Sequence, residues 1–174
     1  MYKLDSFANG AALVINTAAS YRATFLAASR QAAEQIVVAL NQPDLLAELA
    51  TYRFERETGG LSVGGLEILT DRESQSQLAN AYITLSAGLI PDTDWKAANG
   101  WEIVTFEQIA PIAKAVATHS RACFRGERNA QEAIKGASTI AEIEAIDIRA
   151  LFDTAYDGAV AEVNEAAPAT AETV

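Results

Sequence analysis

His119 and Cys123 stand four residues apart, a spacing that on a helix puts an imidazole and a thiol on one face, where they can share a metal ion or generate a thiolate. Two ligands do not close a metal site, and the chain contains no other histidine or cysteine. Ser120 adjoins His119, but neighbouring helical residues point in different directions and no nucleophile elbow surrounds the serine. Asp92 and Asp94 open like a calcium loop, yet Lys96 and Ala97 follow where oxygen ligands and a glycine are needed, so a solvated loop is expected. The acid pairs Glu55/Glu57 and Glu142/Glu144 lack any marked pocket that would raise a carboxyl pKa and read as helix surface. Trp95 and Trp101 admit two readings, mutual packing across a hairpin or a stacking surface for sugars or bases. Gly59-Gly60 and Gly64-Gly65 match neither GxGxxG nor a phosphate loop ending in Gly-Lys-Ser/Thr. No nucleophile, base and orienting group come together, so the expectation is a protein that is not an enzyme, with no catalytic residue, no cofactor and no metal site.

The elements that would carry these residues follow from local patterns. Residues 1–19 read as an N-terminal arm, with a turn at Asn9-Gly10 and a β-prone run Ala11-Ala12-Leu13-Val14-Ile15 that either packs on the chain's own body as an edge strand or docks on a neighbour. Ser20 has the chemistry of an N-cap for a helix to about Leu40, in which Tyr21, Phe25, Ala28, Ala32, Ile36 and Leu40 recur at helical spacing. Pro43 should stop that helix, and Asp44 should cap another reaching Glu57. Gly59-Gly60 ends it, and Leu61–Val63, Gly64-Gly65 and Leu66–Ile68 predict a two-residue hairpin whose turn needs positive φ. Thr70 and Glu73 form a capping-box pattern before a helix to about Ala87, closed by Gly88. Asn99-Gly100 signals a second hairpin between Trp95 and Trp101, so a small sheet of up to four strands is expected. Thr105/Gln108 and Thr139/Glu142 are two further boxes. Pro111 implies a late start near Ala110 or a kink, and Gly126 and Gly136 a break that separates off a short helix. Ile148, Phe152, Ala155, Ala159 and Val163 line one side of a last helix, before an Ala-, Thr- and Pro-rich tail from Ala166 that reads as flexible. The fold class is thus α+β: a helix-rich body over residues 20–148 with a small antiparallel hairpin sheet, the arm before it, and an acidic amphipathic C-terminal helix and tail over residues 149–174.

Composition narrows the function. With 174 residues the chain is long enough for one domain with a sizeable core. Its hydrophobic share is 50% but its aromatic share only 7%, because alanine supplies much of the apolar count and favours closely packed helices. The formal charge of −10 argues against non-specific nucleic-acid binding and against anionic membrane surfaces. From Ile140 onward eight acids face one base, Arg149, so the acidity is concentrated at the C-terminal end. A single cysteine excludes an intrachain disulfide. The N-terminus carries no targeting pattern, and no apolar run approaches the ~20 residues of a membrane span, so a protein made and used in water is expected.

Over residues 52–148 the order of motifs resembles a domain of unknown function found in tail-fibre and tail-fibre-assembly proteins of tailed bacteriophages. The matching pieces are Arg53-Phe54-Glu55-Arg56-Glu57-Thr58-Gly59-Gly60, Val63-Gly64-Gly65-Leu66, Thr70-Asp71-Arg72-Glu73-Ser74-Gln75 and Trp95-Lys96-Ala97-Ala98-Asn99-Gly100-Trp101. Val116-Ala117-Thr118-His119, Ala122-Cys123-Phe124 and Ser138-Thr139-Ile140-Ala141-Glu142-Ile143-Glu144 complete the series. The resemblance implies a phage tail context without an activity or catalytic residues. The expected function is a structural or accessory protein of a tail fibre or baseplate, located in the virion after synthesis in the host cytoplasm; the alternative is a fibre-assembly chaperone that leaves the finished particle. Its partners would be a tail-fibre or baseplate protein and, in a homo-oligomer, further copies of itself, with no nucleic acid and no membrane. The arm and the last helix, which begins where the resemblance ends, supply the expected partner-binding residues: Leu13, Val14 and Ile15 in the arm, and Ile148, Phe152 and Val163 on the last helix.

Overall fold

A computed structural model describes residues 1–16, 18–97 and 100–166. It is an α+β protein in which small antiparallel sheets accompany long helices. The tail expected to be flexible lies, beyond Ala166, outside the described residues, as does Asn99 of the second hairpin turn. Among the described residues no helix is long and apolar enough to cross a membrane.

The chain folds as two compact units, the first made of Met1–Tyr52 and Glu127–Phe152. Its first three elements are strands β1 (Lys3–Ala8), β2 (Ala11–Asn16) and β3 (Tyr21–Leu26), an antiparallel meander with β2 in the middle. Asn9 and Gly10 make the first turn with φ of 50° and 76°, the left-handed pair a two-residue hairpin requires. Ala12 and Val14 are fully buried and sit opposite Phe25 and Ala23, so one sheet face closes on the cluster of Ala12, Ala27 and Ala33.

The helix expected from Ser20 is therefore β3. Tyr21 and Phe25 fit a helical spacing, but with Ala23 between them they also fit a two-residue period, and the open edge of β2 decides between the two by supplying a partner. Ser20 instead has φ of 51° in the turn, and Ser29 is the cap: its hydroxyl accepts the Ala32 N–H at 3.1 Å.

Helix α1 (Arg30–Thr58) runs straight through Pro43 and Asp44, against the expected stop and second cap. Proline deprives the Ala39 carbonyl of its helical donor, but the two residues before it are held by bonds no local pattern shows. Buried Asn41 accepts the Tyr2 N–H at 2.7 Å and donates to the Tyr2 and Val37 carbonyls, each at 3.0 Å. Gln42 donates to the Ile134 carbonyl at 3.1 Å and to Ala137, serving the unsatisfied last turn of helix α3 (Phe106–Gly136). That turn, the short α4 (Ile140–Glu144) and the start of α5 (Ile148–Glu165) bury Ala130, Ile134, Ile143, Ile148 and Phe152. Tyr52 meets Phe152 edge-on at 5.0 Å, with the Arg149 guanidinium over the Tyr52 ring at 4.9 Å. Thr139 and Glu142 form the expected capping box of α4, and bonds from Ser138 and Thr139 hold the Glu142 carboxyl below its ordinary pKa.

The second unit comprises Arg53–Gly126 and the chain from Asp153. Strands β4 (Leu61–Val63) and β5 (Leu66–Ile68) form the expected hairpin, with φ of 58° at Gly64 and 84° at Gly65. Helix α2 (Arg72–Ser86) starts on a different cap from the one expected. Asp71 accepts the Glu73 and Ser74 N–H groups and the Ser74 hydroxyl, which above all lowers its carboxyl pKa. Thr70 is buried, and its hydroxyl accepts the Gly60 N–H at 2.9 Å across the base of the hairpin.

Strands β6 (Thr93–Ala97) and β7 (Gly100–Val104) pair only with each other, so the expected four-stranded sheet is two separate hairpins. Each is supported instead by a common cluster of Leu78, Leu85, Ile109 and Val116, against which Leu61, Ile68, Trp95 and Val104 pack. In α3, Pro111 lies just over one turn in, Gly126 is buried without a break, and the helix ends at Gly136.

Because Asn41 satisfies both main-chain groups of Tyr2 from a buried position, Asn41→Ala should destabilise the protein by about 2–4 kcal/mol, chiefly through orphaned polar groups. Urea denaturation measures the loss, and amide exchange should show β1 opening first.

Candidate functional site

Glu55 and Glu57 read alike as helix surface in the sequence, but Glu57 is fully buried in the second unit while Glu55 is exposed. A buried carboxylate needs charge and hydrogen bonds around it, and three elements provide them. Arg53, one turn back on α1, binds Oε2; Arg72, at the start of α2, forks onto both oxygens at 3.0 Å; Ser120 on α3 donates to Oε1 at 3.4 Å.

His119 lies beside this group. Its Nε2 faces the Arg56 carbonyl at 3.0 Å and its Nδ1 the Tyr156 hydroxyl at 2.7 Å. A carbonyl only accepts, so Nε2 carries a proton, and in the neutral ring Nδ1 accepts from Tyr156. The Arg56 guanidinium covers the Tyr156 ring at 5.1 Å, and Arg53 covers Phe124 at 5.0 Å. Cys123 Sγ lies 3.8 Å from His119 Nε2, but burial pushes the thiol up to about 11. His119 and Cys123 do share a face, as their spacing predicts; the imidazole is engaged by Arg56 and Tyr156, and the thiol is far from thiolate formation. Burial likewise raises the Tyr156 phenol. The cluster therefore ties the end of α1 to α3 and α5 within this unit. Its sequence signal is Arg53 and Glu57 at i and i+4 immediately before a helix-ending Gly-Gly.

Among the described residues no group of three or more His, Cys, Asp or Glu side chains is placed to hold a metal ion. Trp95 and Trp101 do not pack on each other across the hairpin: Trp95 is opposite Glu102 and Trp101 opposite Lys96, an offset of one residue that turns the two indoles to opposite faces. Trp95 joins the Leu78 cluster, whereas Trp101 is 71% and Ile103 66% exposed on the outer face, with the Lys96 ammonium 6.0 Å from the Trp101 ring. Leu69, Ile83 and Leu89 are exposed in the same stretch of chain.

A family model for a domain of unknown function, DUF4376, matches residues 40–150, more than half of the chain. The chain belongs to the DUF4376 family. No curated protein and no solved structure matches it. The DUF4376 span takes in Glu57, Arg72, His119 and the Trp101 hairpin, and leaves out β1–β3 and most of α5.

All of the expected partner-binding residues except Ile148 fall in those outlying segments, and they are largely used inside the chain. Val14 is in the sheet core, Leu13 and Ile15 are half-buried on the opposite sheet face, and β2 has neighbours on both edges, so it cannot add as a strand to another protein. Ile148 and Phe152 are buried, because the start of α5 that carries them helps to close the first unit's core. Val163 is half-buried beside Lys114, Arg121 and Glu162, where the Arg121–Glu162 ion pair at 2.6 Å lowers the Glu162 pKa.

Two outcomes follow from the cluster. Glu57→Gln should destabilise the fold by about 2–4 kcal/mol in urea denaturation, because the mostly buried Arg53 loses its counter-charge; Arg72→Ala, whose guanidinium is largely in water, should cost less. At pH 8 a thiol raised from 9.0 to about 11 holds about 100-fold less thiolate, so iodoacetamide should alkylate native Cys123 at least that much more slowly than the urea-unfolded chain.

Proposed function

We propose that this DUF4376 protein is a structural or accessory component of a bacteriophage tail fibre or baseplate, retained in the virion and acting through protein–protein contacts. The observation that carries the contact role is the outer face of β6–β7, where Trp101 and Ile103 stand side by side in water, flanked by Lys96 and Asp94. A well-packed hairpin has no internal use for an indole there. Interface cores are enriched in such aromatic anchors with charge at the rim, and exposed large apolar groups on a folded surface mark contact sites. The phage setting rests on the resemblance of the motif series to tail-fibre-associated domains, and the net charge of −10 is in keeping with a protein rather than a nucleic-acid partner.

The double variant Trp101→Ala/Ile103→Ser should keep its melting temperature within a few degrees, since both side chains are solvated. In purified virions, mass spectrometry should find the wild-type protein at a fixed ratio to a fibre subunit and the double variant depleted at least tenfold. Absence of the wild type from clean virions, with fibres misfolding when its gene is deleted, would establish the chaperone role instead.

A further inference from the structure

The three-stranded sheet has two edges, and they differ. Along β1 the register slips between Leu4 and Ser6, and Lys3 and Asp5 are exposed there, a bulge and charges that discourage pairing with another strand. Along β3 the register is unbroken from Tyr21 to Leu26, without proline or acid, and Leu26 is 91% exposed. Among the described residues no strand pairs with this outer edge.

The hydrogen-bond phase of β3 is set by the Ala27 N–H, which donates to the Gly10 carbonyl at 3.0 Å in continuation of the β2–β3 register. Antiparallel pairs alternate, so Tyr21, Ala23 and Phe25 turn their main-chain groups toward β2, and Arg22, Thr24 and Leu26 turn theirs outward. We propose that this edge pairs with the same edge of a second copy of the chain, antiparallel, joining the two sheets into one. Self-pairing centred on Thr24 places Arg22 and Leu26 of one copy opposite Leu26 and Arg22 of the other, and uses all three outward residues in about six main-chain hydrogen bonds.

The side chains agree with that register. On the core face Phe25 meets the small Ala23 of the second copy. On the outer face Thr24 meets Thr24, a favourable cross-strand pair, and the aliphatic stem of Arg22 covers the otherwise solvated Leu26. Arg22, the only charge on the strand, never meets its own copy. The half-buried Leu13 and Ile15 lie on that same outer face, which self-pairing extends across two copies. Self-pairing through β3 draws on none of the residues Trp101, Ile103, Lys96 or Asp94 invoked for the tail contact, so the two readings are tested separately.

The test is a charge swap at the two-fold position. In sedimentation velocity across the micromolar range the wild type should run at twice the 18.5 kDa chain mass. Thr24→Lys and Thr24→Glu, each at an exposed site, should keep a wild-type circular dichroism spectrum and run as monomers, because like charges then face each other; mixing the two should restore a dimer. The Arg22, Thr24 and Leu26 amides should exchange slowly in the dimer and at least tenfold faster in either variant alone. A monomeric wild type, a dimer unaffected by Thr24→Lys, or a mixture that stays monomeric overturns self-pairing, as does protection of these amides only when an unrelated extended peptide is added.

Discussion

A carboxylate removed from water must be matched where it lies, and in the second unit Glu57 imposes that demand on everything near it. Arg53 can reach it only if α1 keeps its helical turn to the last residue, and Arg72 only if the β4–β5 hairpin folds back and delivers the start of α2. Thr70 closes the same circuit by taking the Gly60 N–H, so the chain leaving α1 and the chain entering α2 are joined close to the ion pairs. Ser120 and His119 then fix α3 against the same helix end. The resulting geometry resembles an active site in its residue types and differs in its wiring, because each polar group there is directed at another part of the fold.

What is legible in the sequence depends on range. The Gly64-Gly65 turn and the Thr139–Glu142 cap can be read directly, because positive φ and capping are decided within four residues. Tyr21–Leu26 cannot: its residues satisfy both periods, and only the exposed edge of β2 selects a strand. Pro43 misleads for the same kind of reason, since the bonds that keep α1 helical there join Asn41 to Tyr2 and Gln42 to Ile134, remote in sequence. At the candidate site the adjacency of His119 and Cys123 is visible from spacing. The burial of Glu57 is not, because its partners Arg72 and Ser120 come from two other elements. The apolar stripe of α5 is recognisable, but an amphipathic helix reads the same whether its apolar side meets its own chain or another one.

The meander and the β6–β7 hairpin handle exposure in different ways. In the meander, Ala12, Val14 and Phe25 face the core while Leu13, Ile15 and Leu26 lie on the outer face, and the unpaired feature is a main-chain edge. In the hairpin, the side facing the Leu78 cluster is apolar and the opposite side carries an indole and an isoleucine as well. Backbone edges recognise extended shape with little regard to sequence, whereas an aromatic face recognises a fitted pocket. One chain thus offers two kinds of surface with different selectivity.

The tip of the β4–β5 hairpin has a practical consequence. A Cβ added at Gly64 or Gly65 would meet nothing within 4 Å, and the strands below are fastened at their base by Thr70 rather than at the turn. Additional residues between Gly64 and Gly65 would project into solvent and replace only the two-residue turn itself. The tip is therefore a permissive site for an inserted epitope or peptide tag, displayed without disturbing the hydrogen bonds that close the loop behind it.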